Sequence, residues 1–382
     1  DFRSCLLNAA LQFYYRPDAT HGYLLAGYPW FGVRARDLFI ALPGCTIYAD
    51  APERFYRIMD TVLPDMRAFM RQEGISNINE GDIGLWAIGT LQEYARWSSL
   101  PDMVSRYGDF LDELIHYYLR NVHPNLRIDD NGLCVMTGDG RPLSWMDAKV
   151  NGQAVVRREG YLVEVNALWY NALCFYREAL PQKWTPELEE LLGRVQQSFC
   201  DTFINQHGYL FDYVHPHSSW RDWSVRPNMI FATSLPYSPL PKATRRSVLE
   251  IITRELRTPK GLRSLSPKSD GYQPQCHGTQ WQREQSYYNG SVWPWLLGPY
   301  FEACIKLYGR SAISFIENTL IGMEEELQQH GVGTVSELFD GNPPFKGRGA
   351  ISFAMSVGEL LRSLALLEEA KSKYDTQILP II

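Results

Sequence analysis

The residues with the clearest chemical potential are carboxylates set beside aromatic rings in segments dense in Gly, Pro, Asp and Trp. Asp37 follows Arg36 in Gly27-Tyr28-Pro29-Trp30-Phe31-Gly32-Val33-Arg34-Ala35-Arg36-Asp37. Asp147 lies in Leu143-Ser144-Trp145-Met146-Asp147-Ala148-Lys149-Val150. Glu337 and Asp340 lie in Thr334-Val335-Ser336-Glu337-Leu338-Phe339-Asp340-Gly341, and Glu164 in Val163-Glu164-Val165-Asn166-Ala167-Leu168-Trp169. Each alone reads as a cap or turn residue. The recurrence of a carboxylate, an adjacent ring and an irregular segment suggests glycoside hydrolysis. That reaction needs one carboxyl group protonated near neutral pH to protonate the leaving oxygen. It needs a second, ionised, to take a proton from water, and inversion sets the two roughly 6.5–9.5 Å apart. Apolar neighbours such as Trp145 and Met146 would hold a proton on Asp147 by desolvation.

Other chemistries have no support in the sequence. There is no G-x-S-x-G, no G-x-x-x-x-G-K-[ST] and no H-E-x-x-H. A D-D-x-x-D motif of the kind a terpene cyclase requires is also missing. His207, His215 and His217 match no zinc spacing. No metal or cofactor is expected. Lys149, two residues after Asp147, can pair with a carboxylate or a sugar hydroxyl, or simply face solvent.

The surrounding elements read as helices. Apolar residues recur at i, i+3, i+4 and i+7 over Pro52–Gln72, Asp82–Trp97, Met103–Asn121, Val163–Ala179 and Pro186–Phe203. The same period runs through Thr244–Arg257, Val292–Tyr308, Ile313–Gln329 and Phe353–Glu369. Between them lie long segments, Gly27–Gly44, Asp129–Val150, Phe211–Pro227, Gly261–Asn289 and Val332–Arg348. These are too long for plain connections and are where function is expected. Convincing strand runs are few. Alternating short and elaborate connections suggest helical hairpins closed into a ring, with the elaborate segments at one end of a central cavity. No linker divides the 382 residues, so one domain spanning 1–382 is expected.

Composition narrows the partners. The net charge of −6 is spread without blocks, so no basic stripe offers itself to nucleic acid. No apolar run approaches the ~20 residues of a membrane span. With 11 Trp, 22 Tyr and 17 Phe, rings are available beyond those a core consumes, and sugar clefts use aromatic faces. Seven scattered Cys, with no C-x-x-C, fit reduced thiols in a cytoplasmic protein. The chain opens at Asp1 directly in a helix-like pattern, which suggests a boundary behind which an upstream domain of the same polypeptide has been removed.

At these segments the sequence resembles the amylo-α-1,6-glucosidase part of glycogen debranching enzymes. The resemblance rests on Gly27-Tyr28-Pro29-Trp30-Phe31 with Arg36-Asp37 and Ala41-Leu42-Pro43-Gly44, on Ser144 to Val150, and on Glu164 to Leu173. It continues through Arg226-Pro227-Asn228, Gly261 to Pro267, Gly290 to Pro299 and Ser336 to Gly341. It implies an all-α (α/α)6 toroid, a six-hairpin barrel related to glucoamylases, with long loops at one end. The activity implied is cofactor-free, inverting removal of single α-1,6-linked glucose from branch points of glycogen or limit dextrin. Asp147 matches the proposed general acid and Glu337 the base, with Asp340 a rival base. Arg36 and Asp37 would grip the terminal glucose hydroxyls. Trp30, Trp145 and Trp293 would wall the pocket, and Lys149, Glu164 and Asn166 would contact substrate. Ala35 and Leu38 depart from the family's usual Gly and Thr around the Arg-Asp pair. Alternatives are an inverting exo-α-glucosidase acting on α-1,4 bonds and a non-catalytic glycan-binding domain.

Overall fold

A computed structural model describes residues 1–71 and 80–375. Its α-helices among the described residues alternate between an outer and an inner layer. The outer helices are α1 (Phe2–Phe13), α3 (Pro52–Met70), α5 (Leu100–Leu119), α7 (Pro186–Phe203), α9 (Lys242–Glu255) and α12 (Ile313–Met323). The inner ones are α2 (Ala35–Cys45), α4 (Ile83–Trp97), α6 (Val163–Ala179), α8 (Phe231–Ser234), α11 (Leu297–Tyr308) and α13 (Ala354–Asp375). Each inner helix packs on the next: α2 on α4, α4 on α6, α6 on α8, α8 on α11, α11 on α13, and α13 back on α2. The ring closes, and the fold is the (α/α)6 toroid. The remaining helix, α10 (Gln280–Tyr287), stands in a long connection outside the ring.

The layers follow from composition. Outer helices are amphipathic: α7 buries Leu188, Leu191, Leu192, Val195, Phe199 and Phe203 and turns its charged residues to solvent. Thr185 caps its N-terminus by accepting from the Leu188 N–H, and Pro186 occupies the first turn, where no N–H is needed. Inner helices such as α2 and α6 are buried on nearly every side because neighbours cover them all round. In α6 only Arg177 and Glu178 of its seventeen residues escape burial. Where ring neighbours meet closely, side chains are absent. A Cβ on Gly44 of α2 would lie 1.8 Å from the Gly358 carbonyl of α13, so this contact requires glycine.

Sequence periodicity locates most of these elements to within a few residues; Gln72, the expected end of α3, lies outside the described residues. Three expectations need correction. Ala35–Cys45, read as part of a loop, is an inner helix that tolerates Pro43 inside it. Gln280–Tyr287, read as loop, is α10, with a capping box in which Thr279 and Gln282 satisfy each other's backbone N–H. Val292–Tyr308, read as one helix, begins as a strand and a 3-10 turn before α11.

That strand belongs to a small antiparallel sheet at the loop-rich end. Its order is Arg257–Thr258, Gly261–Arg263, Val292–Trp293, Leu338–Phe339 and Gly347–Arg348. Val292 pairs with Phe339, and Leu338 with Arg348. The sheet fixes Trp293 and the segment carrying Glu337 and Asp340 over one mouth of the ring.

Candidate active site

A cavity of about 810 Å³ opens at this end. Its walls include Trp30, Arg34, Asp147, Lys149, Tyr287, Tyr288 and Glu337. Two of the predicted carboxylates, Asp147 and Glu337, therefore share one cavity, and their surroundings differ sharply.

Glu337 is 3 % exposed. Its backbone N–H donates to the Ala350 carbonyl at 2.9 Å, and its Oε2 accepts from the Ala350 N–H at 2.9 Å. Both bonds lie beside Gly349, whose φ of +67° suits glycine; a Cβ there would stand 2.3 Å from Oε2. Burial pushes the Glu337 carboxyl up to about 8, against the lowering pull of the Ala350 N–H and of Arg34. In the free protein Glu337 is thus the proton-bearing carboxyl at neutral pH.

Asp147 is more open, its side chain 23 % exposed. The Arg34 guanidinium pairs with its Oδ2, and the Tyr288 hydroxyl donates to Oδ1 at 2.8 Å. Burial and the Asp147 charge hold the Tyr288 phenol well above its ordinary value, so it stays a donor. Trp145 and Met146, the expected apolar neighbours of Asp147, are buried and do not line the cavity. The Trp145 indole donates to Asn228 Oδ1 at 2.7 Å, and Met146 Sδ lies 3.6 Å from Asn228 Nδ2.

The other predicted residues separate into neighbours of the cavity and framework. Trp30 is on the wall and 60 % exposed, and Lys149 lines the rim. Asp37 sits behind Arg34, 3.8 Å from its guanidinium, buried, with Oδ2 lacking a hydrogen-bond partner. Burial raises its carboxyl, while Arg34 pulls it down. Trp293 stacks on Tyr288 with centroids 5.1 Å apart and planes within 2°. Its indole donates to the Tyr287 carbonyl at 2.8 Å. Trp145 meets Tyr288, Trp293 and Trp295 edge-on at 5.1–5.4 Å. Trp145 and Trp293 are buried behind Tyr288 and brace it; they do not line the cavity.

Four expected contacts are not formed at the cavity. Arg36 spends its guanidinium on Asp82, at 2.8 and 2.9 Å, and on Glu80, at 2.9 Å. Glu164 accepts two bonds from Arg158, at 2.6 and 2.7 Å, and that guanidinium also reaches Asp212. Asn166 bridges the Cys134 N–H and carbonyl at 2.7 and 3.0 Å, fixing the start of α6 against a hairpin. Asp340 takes a forked pair from Arg348 at 2.8–3.1 Å and the Cys276 N–H at 2.9 Å. Its lone pairs are committed to holding the sheet edge.

Arg34, Glu284, Tyr287 and Tyr288 line the cavity without having been singled out in the sequence. The Thr279-x-x-Gln282 capping signal marks α10, which carries Glu284 and leads into the tyrosine pair. Arg34 is three residues before Asp37, so the turn that starts α2 brings the two together. Among the described residues no group of His, Cys, Asp and Glu is arranged to hold a metal ion, and no helix is long and apolar enough to cross a membrane.

Similar structures share the toroid. The GH63 mannosylglycerate hydrolase from Thermus thermophilus, in complex with Tris and D-glycerate, superposes with a TM-score of 0.65 at 13 % identity. That match covers 96 % of this chain and 100 % of that one. The same hydrolase in complex with glucose gives 0.64 at 13 % identity, covering 97 % and 100 %. A chain described as "Glycosidase Wild Type" gives 0.60 at 13 % identity, covering 96 % and 97 %. Among curated proteins none matches. The model of the amylo-alpha-1,6-glucosidase family matches residues 8–362. The chain belongs to that amylo-alpha-1,6-glucosidase family, and with it to the glycoside hydrolases.

Proposed function

We propose that the protein is an inverting exo-glucosidase that removes single α-1,6-linked glucose from branched α-glucan, with Asp147 and Glu337 as its catalytic pair. The observation that carries this reading is the pair itself: two carboxyl groups on one cavity, one buried and protonated, the other held by Arg34 and Tyr288. A pair that shares one proton can supply acid and base in the same turnover.

The difference in depth supports a division of roles. Asp147 is the more open of the two, on the side from which the leaving glucan departs, and it protonates the glycosidic oxygen. Glu337, the buried member, takes a proton from the water that attacks the opposite face of the glucose ring. In the free protein the proton rests on Glu337, so entry of substrate moves it to Asp147. Sugar hydroxyls that engage Arg34 would loosen its hold on Asp147 and favour that shift. Asp340, bound to Arg348, is left a structural role. Asp37, with an unsatisfied oxygen beside Arg34, accepts from glucose hydroxyls, while Arg36 holds the helix that presents it.

Glucose release from a glucosyl-branched maltosaccharide against linear maltooligosaccharides tests the linkage. Faster release from the linear series would reassign the protein to α-1,4 bonds. A second reading draws on Lys149 and Arg141, cations on the cavity wall, which would suit a glycoside with an acidic leaving group. Hydrolysis of a glycosylglycerate faster than of the branched glucan would favour it.

A further inference from the structure

Trp281 is 60 % exposed, and its position on α10 separates it from an ordinary surface ring. At 100° per residue, Glu284 falls about 60° from Trp281 around the axis of α10, and one turn further along it. Glu284 lines the cavity, and Trp281 stands one turn before it on the helix, roughly 9 Å along the axis from Tyr287 at the other end. The helix is held where it is. The Thr279–Gln282 capping box fixes its start, and the Trp293 indole bonds the Tyr287 carbonyl at its end. It packs on the hairpin strand Lys149–Val150. Burial raises the Glu284 carboxyl at the cavity wall, beside Lys149.

We infer that α10 carries an outer sugar subsite on the leaving-group side of the cavity, with Trp281 as a stacking platform and Glu284 as an acceptor for hydroxyl groups. The ligand class is a neutral oligosaccharide chain reaching beyond the scissile bond. This assignment rests on the glycosidase reading for its direction: Tyr288 touches Asp147, the group that meets the leaving oxygen, so whatever extends past Tyr288 along α10 meets the leaving chain. An apolar ring beside a carboxylate, one helical turn apart, matches a sugar, which offers an apolar face and a rim of hydroxyl donors. Exposure of a large ring at the rim of a polar cavity, in line with cavity residues, is the placement such recognition needs.

The test compares long and short substrates. Trp281→Ala should lower the ratio of kcat/KM for a glucosyl-branched maltosaccharide to that for an aryl α-glucoside by about tenfold, mostly through KM. Trp281→Phe should recover most of the ratio. An unchanged ratio in Trp281→Ala overturns the subsite, as does an equal loss on both substrates. Calorimetric titration of the same maltosaccharide into Glu337→Gln protein, with and without Trp281→Ala, reads binding apart from turnover. A roughly tenfold weaker Kd with Trp281→Ala supports the subsite even if the wild type hydrolyses neither substrate, which would remove the glycosidase reading alone. Equal affinity, or no binding by either protein, removes the subsite.

Discussion

Glu337→Gln should stabilise the protein, by an amount that grows with pH. Burial lifts the Glu337 carboxyl from 4.5 to about 8 in the folded chain, while the unfolded chain leaves it near its ordinary value. Between those two values the native state holds a proton that the unfolded state has released, so stability falls as pH rises through this window. At 1.36 kcal/mol per pH unit, the loss is about 3 kcal/mol at pH 7 and about 5 kcal/mol above pH 8, and it is absent below pH 4.5. Glutamine keeps the shape and an oxygen to accept the Ala350 N–H but has no charge to bury. Denaturant unfolding of wild type and Glu337→Gln at pH 5 and pH 9 measures the effect. The difference between the two proteins cancels the contribution of Glu359, which burial also raises, to about 7, beside Arg362. The variant should match wild type near pH 5 and exceed it by several kcal/mol at pH 9. An equal difference at both values, or a variant less stable at pH 9, would refute the claim that Glu337 is a carboxyl kept neutral by burial. A group that costs stability in this way is retained for what it does.

The remaining predictions concern the same pair and its supports. If the active state carries one proton on the proposed pair, kcat/KM should hold up to about pH 8 and fall above it, as Glu337 loses its proton. Arg34→Met should move that alkaline limb upward, since Arg34 pulls the Glu337 carboxyl down; a pH–rate series on both proteins reads it. Gly349→Ala should cost at least 100-fold in kcat, because its Cβ would force Glu337 Oε2 from a 2.3 Å approach. Asp340→Asn should lower stability by about 2–4 kcal/mol, by stripping the Arg348 pair. If the folded Asp340→Asn variant instead loses several orders of magnitude in kcat while its unfolding curve is unchanged, Asp340 and not Glu337 is the base.

What could be read from sequence followed from how each residue meets its surroundings. Amphipathic outer helices announce themselves by period, and α7 appears with the same ends in sequence and structure. Some inner helices show the period too, and α6 keeps the same ends, Val163–Ala179, but others do not. Ala35–Cys45, with Arg36 and Asp37 at its start and Pro43-Gly44 near its end, carries the marks of a loop and folds as a helix because α4 and α13 enclose it. The sheet at the cavity is built from strands of two or three residues, too short to show alternation. At the site, motif position pointed to Asp147 and Glu337, while the sorting of the other charged residues depended on which partner each meets in the folded chain, near or far in sequence. Arg158 claims Glu164, Arg348 claims Asp340, and Asp82 with Glu80 claims Arg36. Arg34 and Tyr288 were hidden for the same reason, since their importance comes from meeting Asp147 across 113 and 141 residues.

Proton NMR of the glucose released in the first moments of hydrolysis tests the pair most directly. If, as proposed, water activated by Glu337 attacks a glucosyl-branched maltosaccharide while Asp147 protonates the departing oxygen, β-glucose should appear first, with α-glucose following only as the sugar equilibrates. Initial α-glucose would mean a covalent sugar–enzyme intermediate and would contradict the account.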